Sequence, residues 1–125
     1  MSPSVRSALP APTLAVIVLA LMVGLYGIDK FLAAQEQAEV AQEARNHYAA
    51  GRTWLHAGRT QEAVVDFARA HTLERSNREY LLALATAQVA DHQLATAQDT
   101  LSEALEEDSN DGRGNLLMAR ALAAE

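Results

Sequence analysis

Arg45, Tyr48, Arg52 and His56 fall at helical spacing, so one face of one helix would carry two guanidinium groups, a phenol and an imidazole. Such a set is suited to recognition: guanidinium forks grip carboxylates, and a tyrosine ring supplies apolar area beside them. The chemistry it offers is the holding of an extended or helical acidic peptide. The alternative is that Arg45 and Arg52 pair with acids of their own chain, such as Glu79, and stay solvated, each exposed pair being worth about 0–1 kcal/mol.

Other chemistry finds little footing. His47, His56, His71 and His92 are far apart and form no i,i+4 pair, so they do not make a zinc site by spacing. Ser102-Glu103 and the acids Glu106, Glu107, Asp108 and Asp111 lack the glycine-hinged spacing of a calcium loop and read as a solvated helix end and turn. No nucleophile-base pair or phosphate loop can be assembled. With no cysteine there is no thiol catalysis, thiolate metal site or disulfide, and the compartment stays open. Neither a catalytic residue nor a metal or cofactor is expected. The net charge is -6, eight of the sixteen acids lie between Asp91 and Glu125, and there is no Lys or Arg block, which argues against a nucleic-acid partner.

The elements that must position the arginine face begin with an apolar segment. Ala8 to Ile28 reads ALPAPTLAVIVLALMVGLYGI without a charge, close to the ~20 residues that cross ~30 Å of hydrocarbon as a helix. Pro10 and Pro12 suit a first turn, and Tyr26 and Lys30 suit the far interface, which places a transmembrane helix at 12–32 in contact with the lipid bilayer. A cleaved signal peptide is the competing reading, giving a secreted protein, but Leu32-Ala33-Ala34 is a poor cleavage site. Arg6 and the α-amine before the span, with no acid, against Lys30 paired with Asp29 and followed by Glu36, Glu39 and Glu43 after it, put the N-terminus inside and the C-terminal part of the chain on the periplasmic or extracytoplasmic side. Ala20 and Gly24 form a small-xxx-small pair through which two anchors could dimerise, although such pairs are common in lipid-facing helices.

Between Lys30 and Ala50 there is no Gly or Pro, so the membrane helix is expected to continue as a stalk over 33–43. The rest of the chain is rich in Ala, Leu, Glu, Gln and Arg and has no strand-length alternation, hence all helix.

Set against itself with an offset of about 34 residues, the chain aligns Ala63 with Ala97, Phe67 with Leu101, Ala70 with Ala104 and Asn77 with Asp111. Residues 44–77 carry Gly51, Trp54, Gly58-Arg59, Glu62-Ala63, Phe67 and Ala70, and in these the chain resembles the tetratricopeptide repeat (TPR) family. The small residues would let two helices approach, Trp54 and Phe67 would fill the space between them, and Gly58 would end the first helix at positive φ. Residues 78–111 form a degenerate second unit, with Ala85 for the glycine, Gln88 for the aromatic residue and Asp91-His92-Gln93 at the turn. Arg75 and Ser109 stand where a closing proline is usual. His47 and His71 fall where side chains pack between helices.

The fold expected is therefore all-α: a single transmembrane helix followed by a short TPR helical-hairpin solenoid of two repeats plus one C-terminal helix. A short tail covers 1–11, and residues 112–125 make either a capping helix or a truncated third repeat. The resemblance implies a concave face built by the first helix of each unit, on which Arg45, Tyr48, Arg52, Leu55 and His56 would be joined by Glu79, Leu82, Thr86, Val89 and Ala90, then by Arg113, Leu116 and Arg120. One TPR subfamily clamps a C-terminal carboxylate. Its positions here hold Tyr48, Arg52, Ala83, Arg113 and Leu117, and only Arg113 agrees. The resemblance implies a membrane-anchored bacterial scaffold or adaptor for a protein partner, of the kind that assists envelope protein assembly, cytochrome maturation or translocon-associated folding, and not an enzyme; the arginine face adds the acidic peptide as its ligand. A structural alternative is an accessory subunit of a larger membrane complex, but the span has no polar seam to support it.

Overall fold

A computed structural model describes residues 9–125. Those residues form five helices and no strand: α1 (Ala11–His56), α2 (Thr60–Leu73), α3 (Arg78–Ala90), α4 (Leu94–Glu107) and α5 (Gly112–Ala123). They divide into two compact units, Met1–Gln37 and Ala38–Glu125, with α1 contributing to both. Arg6, on which the expected orientation partly rests, and most of the tail lie outside the described residues.

In the first unit α1 starts at proline. The Pro10 carbonyl accepts bonds from the Thr13 and Leu14 amides and, at 2.9 Å, from the Thr13 hydroxyl. Pro12 sits in the first turn, where a missing N–H breaks no helical bond. Beyond it the large apolar side chains stand uncovered, Leu25 at 67% and Phe31 at 69% exposure. Apolar surface in water costs ~25 cal/mol per Å², so this run calls for an apolar surrounding. By length and composition it is long enough to cross a membrane, a measure that a signal sequence near an N-terminus also meets. The Lys30 ammonium lies 5.6 Å from the Tyr26 ring centroid.

The second unit is built on a close approach of α1 and α2. A Cβ on Gly51 would meet Phe67 Cδ1 at 2.7 Å, so the ring occupies the space that any side chain at 51 would need. Ala44, Ala63 and Ala70 are fully buried and Phe67 is 1% exposed. The same contact recurs one repeat later in altered sizes: Ala85 for Gly51 and Leu101 for Phe67, both buried in one cluster. A larger residue on the first helix is met by a smaller one on the second, and the packed volume is kept.

The turns repeat as well. The Gly58 amide bonds to the Leu55 carbonyl and the Arg59 amide to that of Trp54; the His92 amide bonds to Val89 and the Gln93 amide to Gln88. Gly58 has φ 75° and His92 has φ 58°. The turn that lacks its glycine thus keeps its geometry, with an exposed histidine in the left-handed region at a steric cost. His92→Gly is expected to raise stability by roughly 0.5–1 kcal/mol, the strain relieved outweighing the extra unfolded-state freedom of glycine. A urea midpoint that fails to rise would contradict this.

Asn77 and Asp111 cap α3 and α5, their side chains accepting from the Glu79 and Arg113 amides. Arg78 bridges the ends of α3 and α4, lying 3.2 Å from Asp108 and 2.9 Å from Asp111. Asp91 accepts from the Thr60 hydroxyl and the Gln93 side-chain Nε2, each at 2.6 Å, and ties the end of α3 to the start of α2. The Thr60 bond, then the Gln93 bond, hold its carboxyl below the ordinary value. A depressed carboxyl favours the folded state above the unfolded pKa, and that contribution is lost as pH falls through the folded one. Thr60→Val should move the Asp91 titration, followed by carboxyl NMR, back toward the ordinary range; an unmoved midpoint would contradict the assignment.

Helix α5 packs on the second repeat. Leu117 and Met118 of α5 pack on Leu81, Leu82, Ala85, Leu101 and Ala104, while Leu116 and Leu122 remain exposed.

Candidate interaction face

Helices α3 and α5 begin one repeat apart, and residues of α1 stand one repeat before those of α3. Three rows of equivalent positions result: Arg45, Glu79 and Arg113; Tyr48, Leu82 and Leu116; Arg52, Thr86 and Arg120. Hydrogen bonds tie the three helices together at Glu79, which Tyr48 of the second row and Arg113 of the first both reach. The Tyr48 hydroxyl donates to Glu79 Oε1 at 3.4 Å, and Arg113 grips the same carboxylate with Nη2 at 2.9 Å from Oε2 and Nη1 at 3.3 Å from Oε1.

Tyr48 is the hub. Its ring lies 5.0 Å from Tyr80 and 5.7 Å from Phe67, centroid to centroid, and the Arg52 guanidinium stands 5.9 Å over it. Burial, and then the Glu79 carboxylate, push the Tyr48 phenol up, so it remains a neutral donor at physiological pH. The Glu79 bond also raises the Arg113 pKa.

Of the residues expected on this face, Tyr48 and Arg113 meet at Glu79, and Arg52 joins them only through the Tyr48 ring. Arg45 is exposed and donates instead to Gln42 Oε1 on its own helix, at 3.0 Å through Nη2. His56 and Arg120 are exposed on α1 and α5. Leu82 needs correction. It is 4% exposed, because Leu117 and Met118 of α5 cover the cluster it belongs to, so it packs the core and offers a ligand almost no surface. Glu79, the acid expected to pair with Arg45 and Arg52, is held by Arg113; Arg45 and Arg52 are both exposed, and neither is ion-paired to a carboxylate among the described residues.

A second polar set goes beyond the sequence expectations. Asp66 of α2 receives the Trp54 indole N–H at 2.9 Å and lies 2.8 Å from His47 Nδ1, joining two residues of α1 to the facing helix. Arg59 stacks 4.6 Å over the Trp54 ring and pairs with Glu62. His47 and His71 are partly buried, as their places between helices imply, with His71 Nε2 3.8 Å from Glu103. Two surface hollows lie on this side, one lined by Glu43, His47, Arg69, Thr72 and Leu73, the other by Trp54, Gln61, Glu62, Val65, Asp66 and Arg69. They share no residue with the arginine face. No group of three or more His, Cys, Asp or Glu able to hold a metal ion occurs among the described residues.

The described arrangement can form charge-assisted bonds to anionic groups at Arg45, Arg52 and Arg120. In a chain of net charge -6, these three arginines are exposed and without an ion-paired carboxylate among the described residues. The family model described as Tetratricopeptide repeat matches residues 55–121, more than half of the chain. No curated protein and no solved structure matches it.

Proposed function

This chain belongs to the tetratricopeptide repeat family, and from that premise we propose that it is a membrane-anchored adaptor that recruits an acidic protein segment to the arginine strip of α1, α3 and α5. TPR domains mediate protein-protein interaction and are typically not catalytic, which supports the adaptor class. The observation that carries the finer reading is the row Arg52, Thr86, Arg120, in which two exposed guanidinium groups stand on α1 and α5 without an ion-paired carboxylate among the described residues. The anchor rests on the uncharged run of α1, none of whose residues is buried. An extracytoplasmic position for the repeats rests on Arg6 and the α-amine before the span, with no acid beside them, against a Lys30 offset by Asp29 after it, and envelope protein assembly is the setting that this layout suggests.

The test is anisotropy of a fluorescein-labelled oligo-glutamate peptide titrated with the full chain in dodecyl maltoside micelles, with oligo-glutamine as control. Arg52→Ala/Arg120→Ala should weaken oligo-glutamate binding by about tenfold, the equivalent of ~1.4 kcal/mol. Raising salt from 0.1 to 1 M, which shortens the screening length from ~10 to ~3 Å, should abolish it. Binding that ignores both salt and the two arginines would contradict the reading. For the anchor, an N-terminal sequence of the mature protein starting at Gln35 would replace it with a cleaved signal peptide.

A further inference from the structure

The first row of the strip alternates in charge, Arg45, Glu79, Arg113, whereas a face made only for acids would have no acid in the middle. Glu79 is also the residue that the strip's own groups converge on. Arg113 meets it with two nitrogens in the fork geometry by which guanidinium recognises carboxylates, and the Tyr48 hydroxyl adds a third donor. The position is fixed from the backbone side too, since the Glu79 amide donates to Asn77 Oδ1 at 3.2 Å in the cap of α3. Both Glu79 and Arg113 are exposed, so an incoming group can reach the pair from solvent.

We propose that Glu79 is an intramolecular competitor: its carboxylate occupies Arg113 and Tyr48 in the free protein, and a carboxylate of the acidic partner takes its place on binding. This deepens the reading given above and rests on it. The physical consequence is a threshold. A single acidic residue gains nothing by exchanging one carboxylate for another on Arg113 and also meets the repulsion of Glu79. A segment with several acids can engage Arg45, Arg52 and Arg120 at once and draw on those contacts to displace Glu79. The strip would then favour runs of acidic residues over isolated ones, a form of specificity set by repulsion as much as by attraction.

The test is a thermodynamic cycle on the full chain in dodecyl maltoside micelles with labelled oligo-glutamate, across the unmodified chain, Glu79→Gln, Arg113→Ala and the double variant. Glutamine keeps the size of the side chain and leaves the Asn77 cap in place. Glu79→Gln should tighten binding by about fivefold, the scale of one exposed ion pair plus relief of like charge, and in the Arg113→Ala background most of that gain should disappear. Binding that is equal or weaker in Glu79→Gln, with the unmodified chain still binding, would overturn the competitor role and leave the acidic-partner reading in place. A gain of the same size without Arg113 would reduce Glu79 to a general repulsion and also overturn it. Binding in none of the four proteins would overturn both.

Discussion

Phe67→Ala is expected to cost the second unit about 3–5 kcal/mol, the range for removing a buried aromatic ring. Phe67 is one of the two largest fully buried side chains, it fills the gap opposite Gly51, and its ring also meets Tyr48 at 5.7 Å. A unit of fewer than a hundred residues has roughly 5–15 kcal/mol in all, so the variant should lie near its unfolding threshold. Urea unfolding of the full chain in micelles, followed by helical circular dichroism, measures this. A loss under about 1 kcal/mol would mean that Phe67 does not hold α1 and α2 together. The loss should also loosen the strip, because Tyr48 is positioned partly by that ring.

The second large effect is at the partner of that contact. In an exposed helix, glycine to alanine stabilises by about 1 kcal/mol. At Gly51 the new Cβ would stand 2.7 Å from Phe67 Cδ1 and 2.8 Å from Cε1, closer than packed carbons allow. Overpacking of this kind costs about 1–3 kcal/mol, so Gly51→Ala should destabilise despite the better helix former. Phe67→Leu on top of it recreates the Ala85 and Leu101 pair of the next repeat and should recover most of the loss. The coupling energy from the double-mutant cycle is the readout. Additive losses would show that the two repeats do not share one packing rule.

That packing rule is largely legible in the sequence. Small residues at 51, 63 and 70 and large ones between them are dictated by helix approach, and the 34-residue spacing carries them into the second unit even where identities change. The turn at His92 reads as degenerate because sequence shows the missing glycine and not the hydrogen bonds that survive without it. Gln88 takes the place of Trp54 and is 5% exposed, with an Oε1 that no donor among the described residues meets, while Thr100 stands where Asp66 receives the indole. Polar partners across helices leave no periodic trace. That is why Asp66, which joins His47 and Trp54, does not stand out in the sequence, and why Glu79 is expected to pair with Arg45 and Arg52 and is instead held by Tyr48 and Arg113. Leu82 is misplaced by the spacing for a different reason. Counting along a helix gives a face, but whether that face meets solvent depends on the next helix, and α5 covers it with Leu117 and Met118.

The most direct measurement is photocrosslinking of the full chain in native membranes, with a photoreactive residue at position 52, at position 120 or, as a control, at position 102, where Ser102 is exposed on α4, the second helix of its repeat. Capture of one protein from both 52 and 120 but not from 102, with mass spectrometry placing both crosslinks in an acidic segment, is the expected result. Capture from 102 in preference to the other two, or crosslinks from 52 and 120 confined to lipid and solvent, would contradict a binding role for the arginine strip.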